Sequence, residues 1–160
     1  MASEPTYQVH CDCGDVSLRL RGKPIVHAYC HCQDCRDLLN APVNALAAWD
    51  NDAMQVINGD ERLAEYRYPG KAMKRCFCRK CGATLFNTKA YDWVVVSQSL
   101  LRKCGADRLP PELESDKHVF YQERVIAIDD TLAEYLKGVD GPLYEQPQWV
   151  TLSRPTKGIC

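Results

Sequence analysis

No part of the chain approaches the ~20 consecutive apolar residues that a helical bilayer crossing needs. The first residues hold no basic segment followed by an apolar one, so no secretory signal is expected. Position 2 is Ala2 rather than glycine, which argues against N-myristoylation. Excess charge of one sign is also missing: 20 Lys and Arg face 21 Asp and Glu, for a net charge of -1. A nucleic-acid binder would need a basic stripe or arm, and none is present. The sequence therefore predicts a cytoplasmic protein with neither a nucleic-acid nor a membrane partner, and it leaves the oligomeric state open. With 160 residues, 46% apolar and 26% charged, the chain suits one domain with a true core. The densest basic cluster is Lys71, Lys74, Arg75, Arg79 and Lys80. It reads as a solvated face or as a holder of small anions.

Cysteine is what the chain has in plenty. There are 10: Cys11, Cys13, Cys30, Cys32, Cys35, Cys76, Cys78, Cys81, Cys104 and Cys160. Five pairs stand two or three positions apart, a spacing that marks metal binding. A disulfide framework fits poorly, because cysteines one residue apart do not easily reach disulfide geometry. A tight turn can instead set two thiolates on one zinc ion, and such turns favour a following glycine. Gly14 follows Cys13, and Gly82 follows Cys81.

Cys11 and Cys13 with Cys78 and Cys81 supply four thiolates, the set that closes a structural zinc site. Cys30, Cys32 and Cys35 supply three within six residues, which leaves a fourth position open for chemistry. A competing partition closes that second site with Cys76. His31 falls between two ligand candidates, and in an extended segment its side chain points away from theirs. His10, His27 and His118 read as structural or surface residues. Three thiolates make a zinc centre anionic and a weak acid toward water, so hydrolysis is disfavoured. A soft centre of this kind suits another sulfur ligand, and metal coordination would hold a substrate thiol as its thiolate.

Short alternating segments dominate the rest. Val16, Leu18 and Leu20 alternate with polar neighbours. Further strands are expected over 7–10, 25–29, 43–49, 54–57, 63–68, 73–77, 84–86, 93–97 and 119–121. Asn58-Gly59-Asp60 and Pro69-Gly70 read as turns. One short helix is expected over 130–135, with Gly138 beyond its end. The fold class is thus mainly β, built from short antiparallel sheets around zinc. Residues 1–140 read as the zinc-binding domain and 141–160 as an extended tail. That tail is rich in proline, and Tyr144 and Trp149 suggest docking.

Three segments carry a resemblance: Cys11-Asp12-Cys13-Gly14, Cys30-His31-Cys32-Gln33-Asp34-Cys35-Arg36 and Phe77-Cys78-Arg79-Lys80-Cys81-Gly82. In this order they resemble the glutathione-dependent formaldehyde-activating enzymes, grouped with centromere protein V. The resemblance implies an Mss-four-like fold with two zinc ions. It implies a structural zinc on Cys11, Cys13, Cys78 and Cys81, and a catalytic zinc on Cys30, Cys32 and Cys35. The implied activity is that of S-(hydroxymethyl)glutathione synthase, a carbon–sulfur lyase that condenses glutathione with formaldehyde. Asn40-Ala41-Pro42 stands where the family often has Gly-Ala-Pro, and asparagine tolerates the left-handed backbone such a turn uses. Two other readings stand beside it: a lyase for a different thiol or carbonyl adduct, and a zinc-stabilised module that binds a protein without catalysis.

Overall fold

The alternating segments become strands almost where the sequence places them. The computed structural model describes residues 2–88, 92–139 and 141–145. Its first half runs β1 (Thr6–His10), β2 (Ser17–Arg21), β3 (Val26–Cys30), α1 (Gln33–Leu39), β4 (Asn44–Asp50), β5 (Met54–Asn58) and β6 (Leu63–Arg67). The second half runs β7 (Lys74–Cys78), β8 (Thr84–Thr88), β9 (Trp93–Ser97), α2 (Gln98–Cys104), β10 (Lys117–Val119) and β11 (Ala133–Glu134). β1, β2 and β5 form a small sheet with β2 in the middle. The other strands form one sheet in the order β11-β10-β3-β4-β9-β8-β7-β6.

Strand position in the sheet explains strand composition. β4 and β9 lie in the interior of the large sheet, and their sequences, Asn-Ala-Leu-Ala-Ala-Trp-Asp and Trp-Val-Val-Val-Ser, are apolar on both faces. On one face, Ala47, Trp49, Val94 and Val96 meet Leu18 and Leu20 of the small sheet in the main core. The Trp49 indole N–H donates to the Gly22 carbonyl at 2.9 Å, which satisfies the core's largest side chain. The opposite face carries a second cluster. There the antiparallel register sets Val26 beside Ala48 and Ala48 beside Val95. Cys30 lies opposite Asn44 in the same register. Facing residues of paired strands point to one side of the sheet, so Cys30, Asn44, Leu46, Ala48 and Val95 share this second face.

Three expectations need correction. Residues 130–135 form no helix. The Asp130 carboxylate accepts the Leu132 backbone N–H at 3.0 Å and also faces His118, while Ala133 and Glu134 pair with β10. The strand expected over 119–121 is displaced, ending at Val119 with Phe120 in the left-handed region at φ 53°. The large sheet is also not wholly antiparallel, because β10 runs parallel to β3 and β11 parallel to β10. The long excursion through α2 makes that parallel return feasible, as a tight hairpin could not. Of the expected tail, Tyr144 is docked: its N–H donates to the Glu134 carbonyl at 2.7 Å. Trp149 and Cys160 lie outside the described residues.

Gly59, just after β5, shows how closely the chain packs against the β1–β2 turn of the same small sheet. Its φ is +79°, and a Cβ there would stand 1.9 Å from the Asp15 carbonyl oxygen. Both the left-handed backbone and the contact with backbone reject a side chain. Gly59→Ala should therefore destabilise the protein by roughly 2–4 kcal/mol, read as a lower urea midpoint at unchanged slope. A loss below about 0.5 kcal/mol would show that the loop around Asp15 yields freely.

Candidate metal centres

Two turns of the same design build the first centre. After β1, the Gly14 N–H donates to the Cys11 carbonyl at 3.0 Å, with Gly14 at φ +79°. After β7, the Gly82 N–H donates to the Cys78 carbonyl at 2.8 Å, with Gly82 at φ +77°. Each turn presents one buried thiol, Cys11 or Cys78, and one exposed thiol, Cys13 or Cys81. The Sγ atoms of Cys11 and Cys13 are 3.5 Å apart, and those of Cys13 and Cys78 are 3.7 Å apart. All four sulfurs lie within 4.8 Å of one another. The cluster joins the small sheet to the large one.

The electrostatics of this cluster favour a cation. The Ala83 backbone N–H, followed by that of Cys13, pulls the Cys81 thiol down to about 6. Burial opposes ionisation of Cys11, yet the Val16 N–H and the Cys13 thiol lower it overall. For Cys13 the Asp15 N–H works downward, but burial and the thiols of Cys11, Cys78 and Cys81 outweigh it and push Cys13 up to about 12. Four sulfurs at this spacing cannot all ionise without a positive charge among them. An all-sulfur donor set with three members that accept backbone N–H groups fits zinc.

The second centre stands where β3 runs into α1. Cys30 is the last residue of β3, Cys32 caps α1, and Cys35 lies in its first turn. The Cys32 sulfur accepts the Cys35 backbone N–H at 3.3 Å and lies 3.4 Å from the Cys30 sulfur. All three thiols are buried, and their sulfurs lie within 4.8 Å of one another. Among the described residues no fourth Cys, His, Asp or Glu joins this group. Cys76 belongs to neither centre. It is packed in the main core, where burial first and Glu65 second push its thiol up to about 11. Cys104 accepts the His10 backbone N–H at 3.3 Å and is also outside both groups.

Local sequence secures this segment from both ends. Asn40 closes α1 at φ 50° and ψ 44°, donating its N–H to the Arg36 carbonyl, so the turn does survive without glycine. Lys71 reaches across to Asp34 at 2.7 Å and Asp37 at 3.0 Å, both on α1. Lys74 pairs with Glu65 and Lys80 with Asp15, so the lysines of the basic cluster hold carboxylates of this chain.

Sequence reasoning missed two features beside the centre. The first is a buried chain from Asp130 to His31. His118 Nε2 lies 3.0 Å from the Asp130 carboxylate, and His118 Nδ1 lies 2.9 Å from His31 Nε2. Burial first, then His118, pushes His31 down to about 4, so its ring is neutral near pH 7. A His118 tautomer with its proton on Nε2 would donate to Asp130 and accept from His31 Nε2–H at Nδ1. The His31 backbone N–H donates to Val119 at 3.1 Å, which ties the segment between Cys30 and Cys32 to β10. No sequence spacing announces this, because His31 and His118 are 87 residues apart. The second is Asn44. It is buried beside Cys30, and its side-chain oxygen has no partner among the described residues.

A cavity of about 540 Å³ opens on the same face. Cys30 forms part of its wall, with Val26, Leu46, Ala48, Val95 and Val119 around it.

Comparison with known proteins bears on this geometry. A family model described as glutathione-dependent formaldehyde-activating enzyme matches residues 6–123. No curated protein matches the chain. A crystal structure of a Rhodobacter sphaeroides protein is 21% identical, covers 65% of this chain and 91% of its own, and superimposes with a TM-score of 0.45.

Proposed function

Since the chain belongs to the glutathione-dependent formaldehyde-activating enzyme family, we propose that it is a carbon–sulfur lyase whose reaction joins a thiol to an aldehyde at Cys30, Cys32 and Cys35. Glutathione and formaldehyde are the first pair to consider. The observation that carries the reading is the contrast between the two centres. One has four sulfurs and is complete, whereas the other has three and adjoins a cavity. A closed four-thiolate set suits a structural ion, and three ligands with an open position suit a catalytic one.

Cys30, Cys32 and Cys35 would hold the second zinc, with Cys11, Cys13, Cys78 and Cys81 holding the first. Zinc at the three-cysteine centre would supply a thiolate near neutral pH and polarise a carbonyl. In the reaction the thiol sulfur bonds to the carbonyl carbon, the C=O π pair moves to oxygen, and the thiol proton ends on that oxygen. No oxidant or reductant is needed, and the reverse reaction breaks the same bond. The chain's own contribution is placement. β3 and the first turn of α1 fix the three sulfurs, and the apolar wall excludes the water that would hydrate the aldehyde. We assign Asn44, opposite Cys30 in the strand register and with an unpartnered side-chain oxygen among the described residues, to accept a hydrogen bond from the adduct's new hydroxyl. We read residues 1–140 as the domain that performs this and 141–160 as a C-terminal tail, in a cytoplasmic protein.

Exchange between glutathione and formaldehyde, followed by NMR at neutral pH, tests the reading. Zinc-loaded protein should exceed the spontaneous rate. Asn44→Ala should retain its zinc yet lose roughly tenfold of the acceleration, the value of one hydrogen bond of about 1.4 kcal/mol. No acceleration by zinc-loaded wild type would reject this substrate pair.

A further inference from the structure

Formaldehyde leaves most of the cavity beside Cys30 unused. It has two heavy atoms, whereas a volume of 540 Å³ falls in the range of sites for much larger organic ligands. Glutathione does not suit the space either. It carries two carboxylates, an ammonium and two amides, and every such group needs a partner when it leaves water. The described lining is dominated by Val26, Leu46, Ala48, Val95 and Val119, with Trp93 and Phe120 beside them. Lys137 is the single charged side chain among the described lining residues, and it is exposed.

The walls are also firm. Val26, Leu46, Ala48 and Val95 are at most 7% exposed and stand on adjacent strands of one sheet. These four form one wall within the β framework, and Phe120, Lys137, Gly138, Val139 and Gly141, which lie outside the strands, line the rest. Cys30 stands at one end of the wall, and the strands beyond it toward Val26 and Ala48 are apolar. A ligand matched to this gradient has one reacting polar end and an apolar remainder.

We propose that the cavity seats an alkyl or aryl group attached to the carbonyl carbon, so that the preferred substrate is an apolar aldehyde of about six to ten carbons. The inference rests on the thiol–aldehyde reading above. The thiol partner keeps its polar body outside and sends only its sulfur toward Cys30, Cys32 and Cys35. The aldehyde carbon stands at the cysteine end, and its chain lies along Leu46, Ala48 and Val95. The covalent step is unchanged: sulfur bonds to the carbonyl carbon, and the thiol proton ends on the carbonyl oxygen.

Two measurements on zinc-loaded, full-length protein test it. The first follows NMR exchange of glutathione with formaldehyde, butanal, hexanal, octanal and decanal, each divided by its spontaneous rate. The second titrates the matching straight-chain alcohols, which form no adduct, and reads Trp93 fluorescence with Trp93→Phe as the control for signal origin. Burial of each methylene is worth about fourfold in affinity. Both series should therefore climb by about threefold to fourfold per carbon until the cavity is full. Ala48→Phe, or Val139→Trp where the first fails to fold, should flatten the climb by filling the space. Accelerated formaldehyde exchange with both series flat would overturn the inference and leave the thiol–aldehyde reading intact. Alcohols that bind with a climbing series, with no exchange of any aldehyde, would overturn the reading itself and the aldehyde assignment with it.

Discussion

Cys78→Ser is expected to yield a chain that retains little metal at the first centre and does not fold cooperatively. Cys78 is fully buried and shares its cluster with Cys11, Cys13 and Cys81. Those residues come from the turn after β1 and the turn after β7, so the cluster links one sheet to the other. Zinc bound to structural sites of this composition contributes an apparent ~10–16 kcal/mol to folding. Whole domains are stable by only ~5–15 kcal/mol, so losing much of the first term exceeds what the fold can absorb. A serine oxygen is a poor substitute, because it stays protonated near neutral pH and is a harder donor than a thiolate. The measurements are metal content per chain and thermal unfolding by circular dichroism. One metal equivalent retained with an unchanged midpoint would show that the four sulfurs gather without an ion.

Cys76→Ala supplies the contrast, two residues away on the same strand. Cys76 is as buried as Cys78, but it packs in the main core and, among the described residues, no other sulfur joins it in a metal-sized group. Its loss should cost roughly 1–2 kcal/mol, as for a small apolar group removed from a packed interior, with metal content unchanged. Burial and cysteine identity are common to the two positions, and ligation is not.

The two sulfur groups were legible in the sequence because each is assembled from short spacings whose turns are local. Cys11-Asp12-Cys13-Gly14 fixes its own geometry through the left-handed Gly14. β2, β4 and β9 were legible for a similar reason, since period-two alternation or a β-branched run signals a strand without knowledge of its partners. The elements that escaped depend on distant pairing. α1 spans 7 residues and buries only Cys35 and Leu38, too short a pattern to show helical periodicity. The helix expected over 130–135 does not form, because the Asp130 carboxylate faces His118, which the parallel pairing of β11 with β10 brings near. Asn44 and the cavity wall escaped in the same way. Val26, Leu46, Ala48 and Val95 are ordinary strand residues until the register of β3, β4 and β9 sets them side by side.

Cys32→Ser should have the opposite outcome to Cys78→Ser: the fold stays and the chemistry goes. Cys32 has two separable duties. As the cap of α1, its side chain accepts the Cys35 N–H, and serine does this at least as well. As a member of the three-sulfur group it would be a metal ligand, and there serine fails. The backbone around it is held independently, by His31 to Val119, by Arg36 Nε to the His31 carbonyl at 3.2 Å and by the ion pairs of Lys71 with α1. The expected protein binds one zinc fewer than wild type, melts within a few degrees of it, and exchanges glutathione with formaldehyde no faster than solution. Removing the ion should erase more than 100-fold of any acceleration, since thiolate formation and carbonyl polarisation are lost together. Two outcomes would contradict the division of labour between the centres. A collapsed variant would make the three-sulfur group structural, and full activity with one zinc lost would move the reaction away from Cys30, Cys32 and Cys35.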